Sequence, residues 1–528
     1  MMAHGVKGSD VFNSTGNSLL DLSVMLNRGL SSFIIQIHLK KIFASGTSQD
    51  KIDAFVLAYH TRDIRGGKGE RDLFIHMIIA LNANSQLATE ATLHLIPEYG
   101  CWRDVFKLMP YFRKNLSKLV IDQLNQDETL EHPSLLAKWL PREHNTNDKE
   151  IAMYLAKLLE PNKPKAQELY RKRVSALNKK LNTVEIDMCA NHFENIEPSK
   201  VPGRALKLYT RAFLNQPATG FHSRRIYASK SLDRIMCARN FTDYLALASQ
   251  GKAKIIGANT VFPHELVAKV LADDFVSDAE HDAIEAQWQT IVKSIKEQGA
   301  LSNTLAMCDF SGSMTGTPMN VSMALGLIIA ECNTGIFKDH ILTFDSKPTL
   351  HKFTATTLIG RVNEVRHLAQ GMSTDFQAAY NLVIQKMKEM CVQVGQEPKD
   401  LIVLTDIGWD QACGFDVKDT DAVKTKPFET HIQIIQRAFQ QTSELLFGIH
   451  NKWEPPRIVI WNLRAPFNDF NATNTELGVV QLSGWSPSLL NVIITKGIDA
   501  FTPQAMLRAQ LDDERYDPVR LAVSKFLV

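Results

Sequence analysis

From about residue 300 onward, short apolar runs alternate with longer stretches of helical spacing, and that rhythm admits few folds. Strand candidates lie at 304–308, 340–345, 401–405 and 457–462, with helices between them at 317–332, 375–391 and 431–446. Strand, helix, strand in succession predicts a doubly wound sheet. Ligands of such sheets sit beyond the carboxyl ends of the strands. Two of the predicted strands end in aspartate: Leu305–Cys308 runs into Asp309, and Leu401–Thr405 runs into Asp406. These two carboxylates can converge although about a hundred residues separate them.

Asp309-Phe310-Ser311-Gly312-Ser313-Met314 places a carboxylate and two hydroxyls at alternate positions, with Gly312 to let the backbone turn. Three oxygens on one tight loop suit a hard cation such as Mg2+, which takes oxygen ligands in octahedral geometry and keeps several waters. Aspartate and serine also cap helices, so a plain strand-to-helix turn is the competing reading. A second polar loop, Gly371-Met372-Ser373-Thr374-Asp375, opens the next helix and adds further oxygens.

Asp309, Ser311, Ser313, Thr374 and Asp406, in that order, resemble the metal-ion-dependent adhesion site of von Willebrand factor A domains. The resemblance implies that these five residues hold Mg2+ or Mn2+ and leave a position for an Asp or Glu of a protein partner. Two departures stand out. The second loop reads Gly-Met-Ser-Thr, so Ser373 competes with Thr374, and Asp406 is followed by Ile407-Gly408 where the family has Asp-Gly. Haloacid-dehalogenase phosphotransferases also end a first strand in aspartate, but they need Asp-x-Asp and position 311 is serine. No Ser/His/Asp array or paired-carboxylate spacing stands out, the histidines are isolated, and no enzymatic activity is expected.

A chain of 528 residues exceeds one ordinary core, so two domains are expected, at 1–300 and 301–528. No apolar run of membrane-spanning length appears, and the first residues lack the parts of a signal peptide. The expectation is an intracellular, cytoplasmic protein that makes no membrane contact; if viral, it is open to packaging in a virion. The seven cysteines are scattered without a Cys-x-x-Cys pair, which favours reduced thiols over a disulfide framework. Ile407–Thr430 is a long polar connection expected beside the cation.

Residues 1–300 read as mainly helical, with successive helices at 49–64, 70–84 and 89–96 and further helical signal from 131 to 159. Paired helices of this kind predict a HEAT-like α-helical repeat. The turn Arg65-Gly66-Gly67-Lys68-Gly69-Glu70-Arg71 offers backbone amides with Arg65, Lys68 and Arg71, a possible phosphate-binding turn or else a brace between helices. It lacks the Walker A pattern.

Charge is uneven. Lys163–Arg239 holds 16 Lys plus Arg against 6 Asp plus Glu, a balance of +10, which leaves −8 for the rest of a chain whose total is +2. Such asymmetry predicts either a polyanion surface or a helical face whose cations pair with acids elsewhere. The candidate nucleic-acid contacts are Arg171, Lys172, Arg173, Lys179, Lys180, Arg204, Lys207, Arg211, Arg224 and Arg225, with Tyr209, Phe213, His222 and Tyr227 interleaved as stacking platforms or core.

A helical, basic first half followed by this second half resembles the Ro autoantigen, or TROVE, architecture. It is more similar still to a domain-of-unknown-function family of plants, fungi and large DNA viruses. The residues that carry this are the turn at 65–71, Tyr99-Gly100-Cys101-Trp102-Arg103-Asp104, Tyr170-Arg171-Lys172-Arg173, Ile460-Trp461-Asn462-Leu463-Arg464 and Leu482-Ser483-Gly484-Trp485-Ser486. The Ro resemblance implies a ring of helical repeats that grips single-stranded or structured non-coding RNA. The sequence thus predicts a non-enzymatic RNA-binding protein with a cation site for an acidic partner, or alternatively a protein scaffold that works through the cation site without RNA.

Overall fold

The computed structural model describes residues 2–4, 10–144, 148–161, 165–217, 227–272, 275, 277–299, 301, 303–343, 348–368, 376–406, 431–448, 450, 452–465, 470, 472–495 and 501–527. Its centre is a six-stranded sheet: β1 Thr304–Cys308, β2 His340–Thr343, β3 Leu350–Lys352, β4 Asp400–Thr405, β5 Arg457–Asn462 and β6 Val479–Ser483. The spatial order is β3-β2-β1-β4-β5-β6, all parallel except the edge strand β3, which runs antiparallel to β2. Helices Thr317–Cys332, Phe376–Glu389 and His431–Phe447 fall where the alternation places them. The chain is therefore of the α + α/β class, with a short antiparallel pair, Met2–His4 and Asp10–Phe12, then helices up to about residue 300 and a mixed, mostly parallel sheet beyond it. Strands β3 and β6 have no counterpart in the sequence reading.

Alternation within the strands decides how the sheet is covered. Leu305, Met307, Leu401, Val403, Ile458 and Ile460 face one core, while Ala306, Cys308, Ile402, Leu404, Val459 and Trp461 face another. Every residue of β1, β4 and β6 is buried, as expected for parallel strands with both faces covered. The first core is continuous with helices of the N-terminal half, from Leu19 through Leu177, and with the C-terminal helices Pro503–Leu511 and Asp517–Ser524. A third, smaller core holds Phe193, Phe213, Phe241 and Leu245 under the basic segment.

The two halves are also tied by buried polar contacts. Asn27 Nδ2 donates to the Asn462 carbonyl at 2.8 Å, and Asn462 Nδ2 donates to the Val24 carbonyl at 3.3 Å. Lys68 Nζ donates to the Ser23 and Leu26 carbonyls at the end of helix Ser18–Met25 and to Ser483 Oγ at the end of β6. Arg508 pairs with Asp53, and Arg515 pairs with Asp63. Arg28 donates Nε to both Glu70 carboxylate oxygens, with its guanidinium carbon 4.1 Å from the centre of the Trp485 ring.

Burial pushes the Lys68 ammonium down from 10.5 to about 7. Between those pH values the unfolded chain keeps a proton that the native state releases, so this group makes stability rise with pH across that window. Lys68→Met should flatten that slope and, since the Ser483 hydroxyl can then serve only one of the Ser23 and Leu26 carbonyls, leave the other unsatisfied at a cost of about 1–3 kcal/mol. Lys68→Ala, which also empties the space of the stem, should cost about 2–5 kcal/mol. Because one core spans both halves, urea unfolding followed by intrinsic fluorescence and by circular dichroism should give coincident, single transitions; two separated transitions would show that the halves fold independently.

Candidate functional site

The strand order reverses between β1 and β4, the place where a doubly wound sheet opens a crevice. Cys308 pairs with Leu404 in register, and the chain then leaves the sheet on both strands. Asp309 N–H donates to the Leu404 carbonyl at 3.0 Å, which fixes the loop to its neighbour. Asp309 Oδ1 accepts from the Ser311 N–H at 2.9 Å, and Oδ2 accepts from Thr405 Oγ1 at 2.9 Å. Ser311 is buried, and its Oγ lies 3.0 Å from that of half-buried Ser313. Asp406 follows β4 and is fully buried.

Four of the five expected ligands thus lie on the two loops at one edge of the sheet. Thr374, with its competitor Ser373, lies outside the described residues, as does the 407–430 connection. Burial, and then the charge of Asp406, push the Asp309 carboxyl up to about 6, while the hydrogen bonds from Ser311 and Thr405 oppose the shift. Among the described residues no group of three or more His, Cys, Asp or Glu converges, so this set is two carboxylates supplemented by hydroxyls. Gly312 differs from expectation: it needs no positive φ, and a Cβ there would meet open space. The sharper backbone demand falls on Gly316, at φ +94° before the next helix. Thr405 is a residue that the sequence reading missed; its signal is a hydroxyl closing an otherwise apolar strand directly before Asp406.

The cations of the basic segment are drawn toward acids. Arg171 pairs with Glu143, Lys172 with Glu168 and Arg173 with Glu128, while Lys180 donates to the Glu128 carbonyl. Arg204 and Lys207 share Glu265, and Arg211 pairs with fully buried Glu280. Lys179 is exposed, and Arg224 and Arg225 lie outside the described residues, as does His222. Exposure separates these pairs: the Arg171 and Lys172 side chains are 52% and 71% exposed, whereas Arg211 is 16% exposed. Phe213 is a core residue, stacked on Phe241 at 4.5 Å, and Tyr209 packs edge-on against it. Tyr227 is 81% exposed.

The 65–71 turn does not gather its cations around an anion. Asp63 occupies that place: its carboxylate accepts from the Arg65 and Gly66 amides, and its carbonyl accepts from those of Gly67 and Gly69. The Lys68 and Glu70 amides bond back to His60 and Thr61, so the amides of residues 65–70 are spent internally. A Cβ on Gly67 would meet the His60 carbonyl oxygen at 1.9 Å, so close approach requires glycine there. Lys68 points into the core, and Arg71 shares Asp104 with Arg62. Exposed Arg65 reaches the Glu98 carbonyl. The turn braces helices, and the motifs at 99–104 and 482–486 are its partners.

No helix among the described residues is long and apolar enough to cross a membrane. Residues 303–522 match the family model described as "Domain of unknown function (DUF7788)", and residues 111–224 and 236–301 match "Domain of unknown function (DUF2828)". The uncharacterized protein L728 of Acanthamoeba polyphaga mimivirus is 28% identical over 542 residues, covering 97% of this chain and 87% of the viral protein. The chain is thus similar along most of its length to proteins of unknown function, a giant-virus protein among them, which bears out that part of the resemblance read from its motifs.

Proposed function

We propose that the chain is a non-enzymatic binding protein that works inside the cell, and that its sheet-edge site holds a divalent cation which captures an Asp or Glu of a protein partner. One observation carries this reading: two buried carboxylates, Asp309 and Asp406, follow the paired strands β1 and β4 at the topological switch point, close enough for the charge of Asp406 to act on Asp309, with the Ser311 and Ser313 hydroxyls on the Asp309 loop. An all-oxygen donor set suits a hard cation, Mg2+ or Mn2+, over softer metals. Such an ion would offset the like-charge repulsion between the two carboxylates. Asp309, Ser311, Ser313 and Asp406 would hold it, with Thr374 as the fifth ligand that the von Willebrand A resemblance implies. The TROVE-like, HEAT-like helical body would then be the frame from which this module is presented.

Adding Mg2+ or Mn2+ to protein stripped with EDTA should raise its melting temperature, since a ligand at a hundred times its Kd adds about 2.7 kcal/mol. The double variant Asp309→Ala, Asp406→Ala should lose the metal response and, with it, EDTA-sensitive capture of an acidic partner. A wild-type protein indifferent to both metals overturns the proposal.

A second reading, RNA binding, is favoured by the exposed cations of helix Ala166–Leu181. Arg171, Lys172 and Lys179 are exposed along it, and exposed ion pairs are worth only about 0–1 kcal/mol, so a phosphate can displace Glu168 from Lys172; Arg171 is held more firmly, because the Glu143 side chain is only 15% exposed. The same reasoning removes Arg211, whose partner Glu280 is fully buried and would be left uncompensated. Single-stranded RNA should shift the protein in a gel at low salt and release it at higher salt. Arg171→Glu with Lys172→Glu and Lys179→Glu should abolish the shift, while absence of binding at low salt rules the reading out.

A further inference from the structure

A groove of about 650 Å³, to whose lining the sheet-edge carboxylates do not contribute, opens between the end of helix Leu232–Ser249 with the loop that follows it and one face of helix Asp278–Gln298. Its rim carries Lys252, Lys254 and Lys293, all exposed, against one carboxylate, Glu297. Among the described residues Lys254 and Lys293 form no ion pair, unlike the paired cations of the basic segment, and Lys252 donates only to Gln250 Oε1.

These lysines are not needed to cap the helix. Its last carbonyls are closed by backbone, with the Gly251 amide on the Ala248 carbonyl at 3.0 Å and the Lys252 amide on that of Leu247 at 2.9 Å. Downstream, the Ala253 and Lys254 amides find no acceptor among the described residues, so unpaired N–H donors lie on the same loop as two of the ammonium groups. Opposite them, the Ser294 hydroxyl on the long helix is half-buried and likewise makes no hydrogen bond among the described residues. Buried Ala248, Ile255 and Ala258 give the groove an apolar floor.

Ammonium groups, free amides and a hydroxyl around an apolar floor fit an anion joined to a flat organic body, and the volume lies within the roughly 300–1,000 Å³ of small-molecule sites. We infer that this groove binds a phosphate ester of mononucleotide size, with the phosphate on Lys254 and Lys293 and the organic part over Ala248 and Ile255. The phosphate has two possible sources, a free nucleotide or the phosphorylated end of a nucleic-acid strand.

Calorimetric titration of the full chain at low ionic strength would use adenosine monophosphate, adenosine and a 5′-phosphorylated single-stranded oligonucleotide. The phosphate carriers should bind and adenosine should not. Lys254→Glu with Lys293→Glu should weaken binding about tenfold or more, Lys254→Gln with Lys293→Gln by less, and Lys114→Glu with Lys118→Glu, exposed and outside the groove, should leave adenosine monophosphate binding unchanged. Circular dichroism checks that each variant is folded; the replaced side chains are exposed. Binding of the mononucleotide assigns the groove to free nucleotides, whereas binding of the oligonucleotide alone, lost in the Lys254/Lys293 variants, assigns it to strand ends. Failure of both carriers to bind, equal binding of adenosine, or affinity unaltered by the Lys254 and Lys293 changes overturns the inference.

Discussion

A parallel sheet buried on both faces must find apolar cover for each of them, and the rest of this molecule follows from that demand. The Thr317–Cys332 and Asp278–Gln298 helices cover one face; the other is covered partly by helices of the N-terminal half. Helix Ser18–Met25 reaches β6, and the C-terminal helices Pro503–Leu511 and Asp517–Ser524 pack on Ser48–Arg62. The core contact brings polar backbone with it. The carbonyls of Ser23 and Leu26 end a helix inside the protein, where an unpaired acceptor is costly, and Lys68 and Ser483 supply donors from two distant parts of the chain. Motifs that read as surface chemistry in sequence are in this way parts of a seam.

Electrostatics divides along the same line. Cations that meet buried acids, such as Arg62 and Arg71 on Asp104 or Arg211 on Glu280, are fixed, because removing either partner strands a charge in a poor solvent. Cations on exposed acids keep their freedom to exchange partners. The +10 balance of Lys163–Arg239 therefore overstates the charge available to a polyanion. Burial of the partner, more than the number of lysines and arginines, determines which part of the segment can be recruited.

Much of the sheet was legible because its signal is local. Four apolar runs of strand length gave β1, β2, β4 and β5 nearly to the residue, and the helices between them followed from spacing. The edge strand β3, Leu350-His351-Lys352, is too short and too polar to show a period, and β6 hides its pattern behind Gln481 and Ser483. Asp309 and Asp406 were legible as strand-end carboxylates, whereas the part played by Thr405 was not, since it depends on the register between β1 and β4. The phosphate reading of the 65–71 turn failed for a similar reason. Its glycines and cations are visible in sequence, but the internal anion, Asp63, and its partner Arg515 are joined across some 450 residues.

The competing account of Asp309, a carboxylate that merely shapes a turn, explains only part of what the site contains. A turn needs one carboxylate and no more, since Oδ1 takes the Ser311 amide, Oδ2 takes the Thr405 hydroxyl, and the loop is then fixed. A neutral Asn at 309 could take either hydrogen bond without the desolvation that accompanies a buried charge. Burial, and then the charge of a second buried carboxylate, Asp406, drive Asp309 up to about 6, which is a penalty with no return if the turn is all that matters. Two carboxylates held together against their repulsion, with serine hydroxyls on the same loop, have a common physical rationale when a positive ion is their shared partner. That is why the pair, and not Asp309 by itself, favours a cation site over a cap.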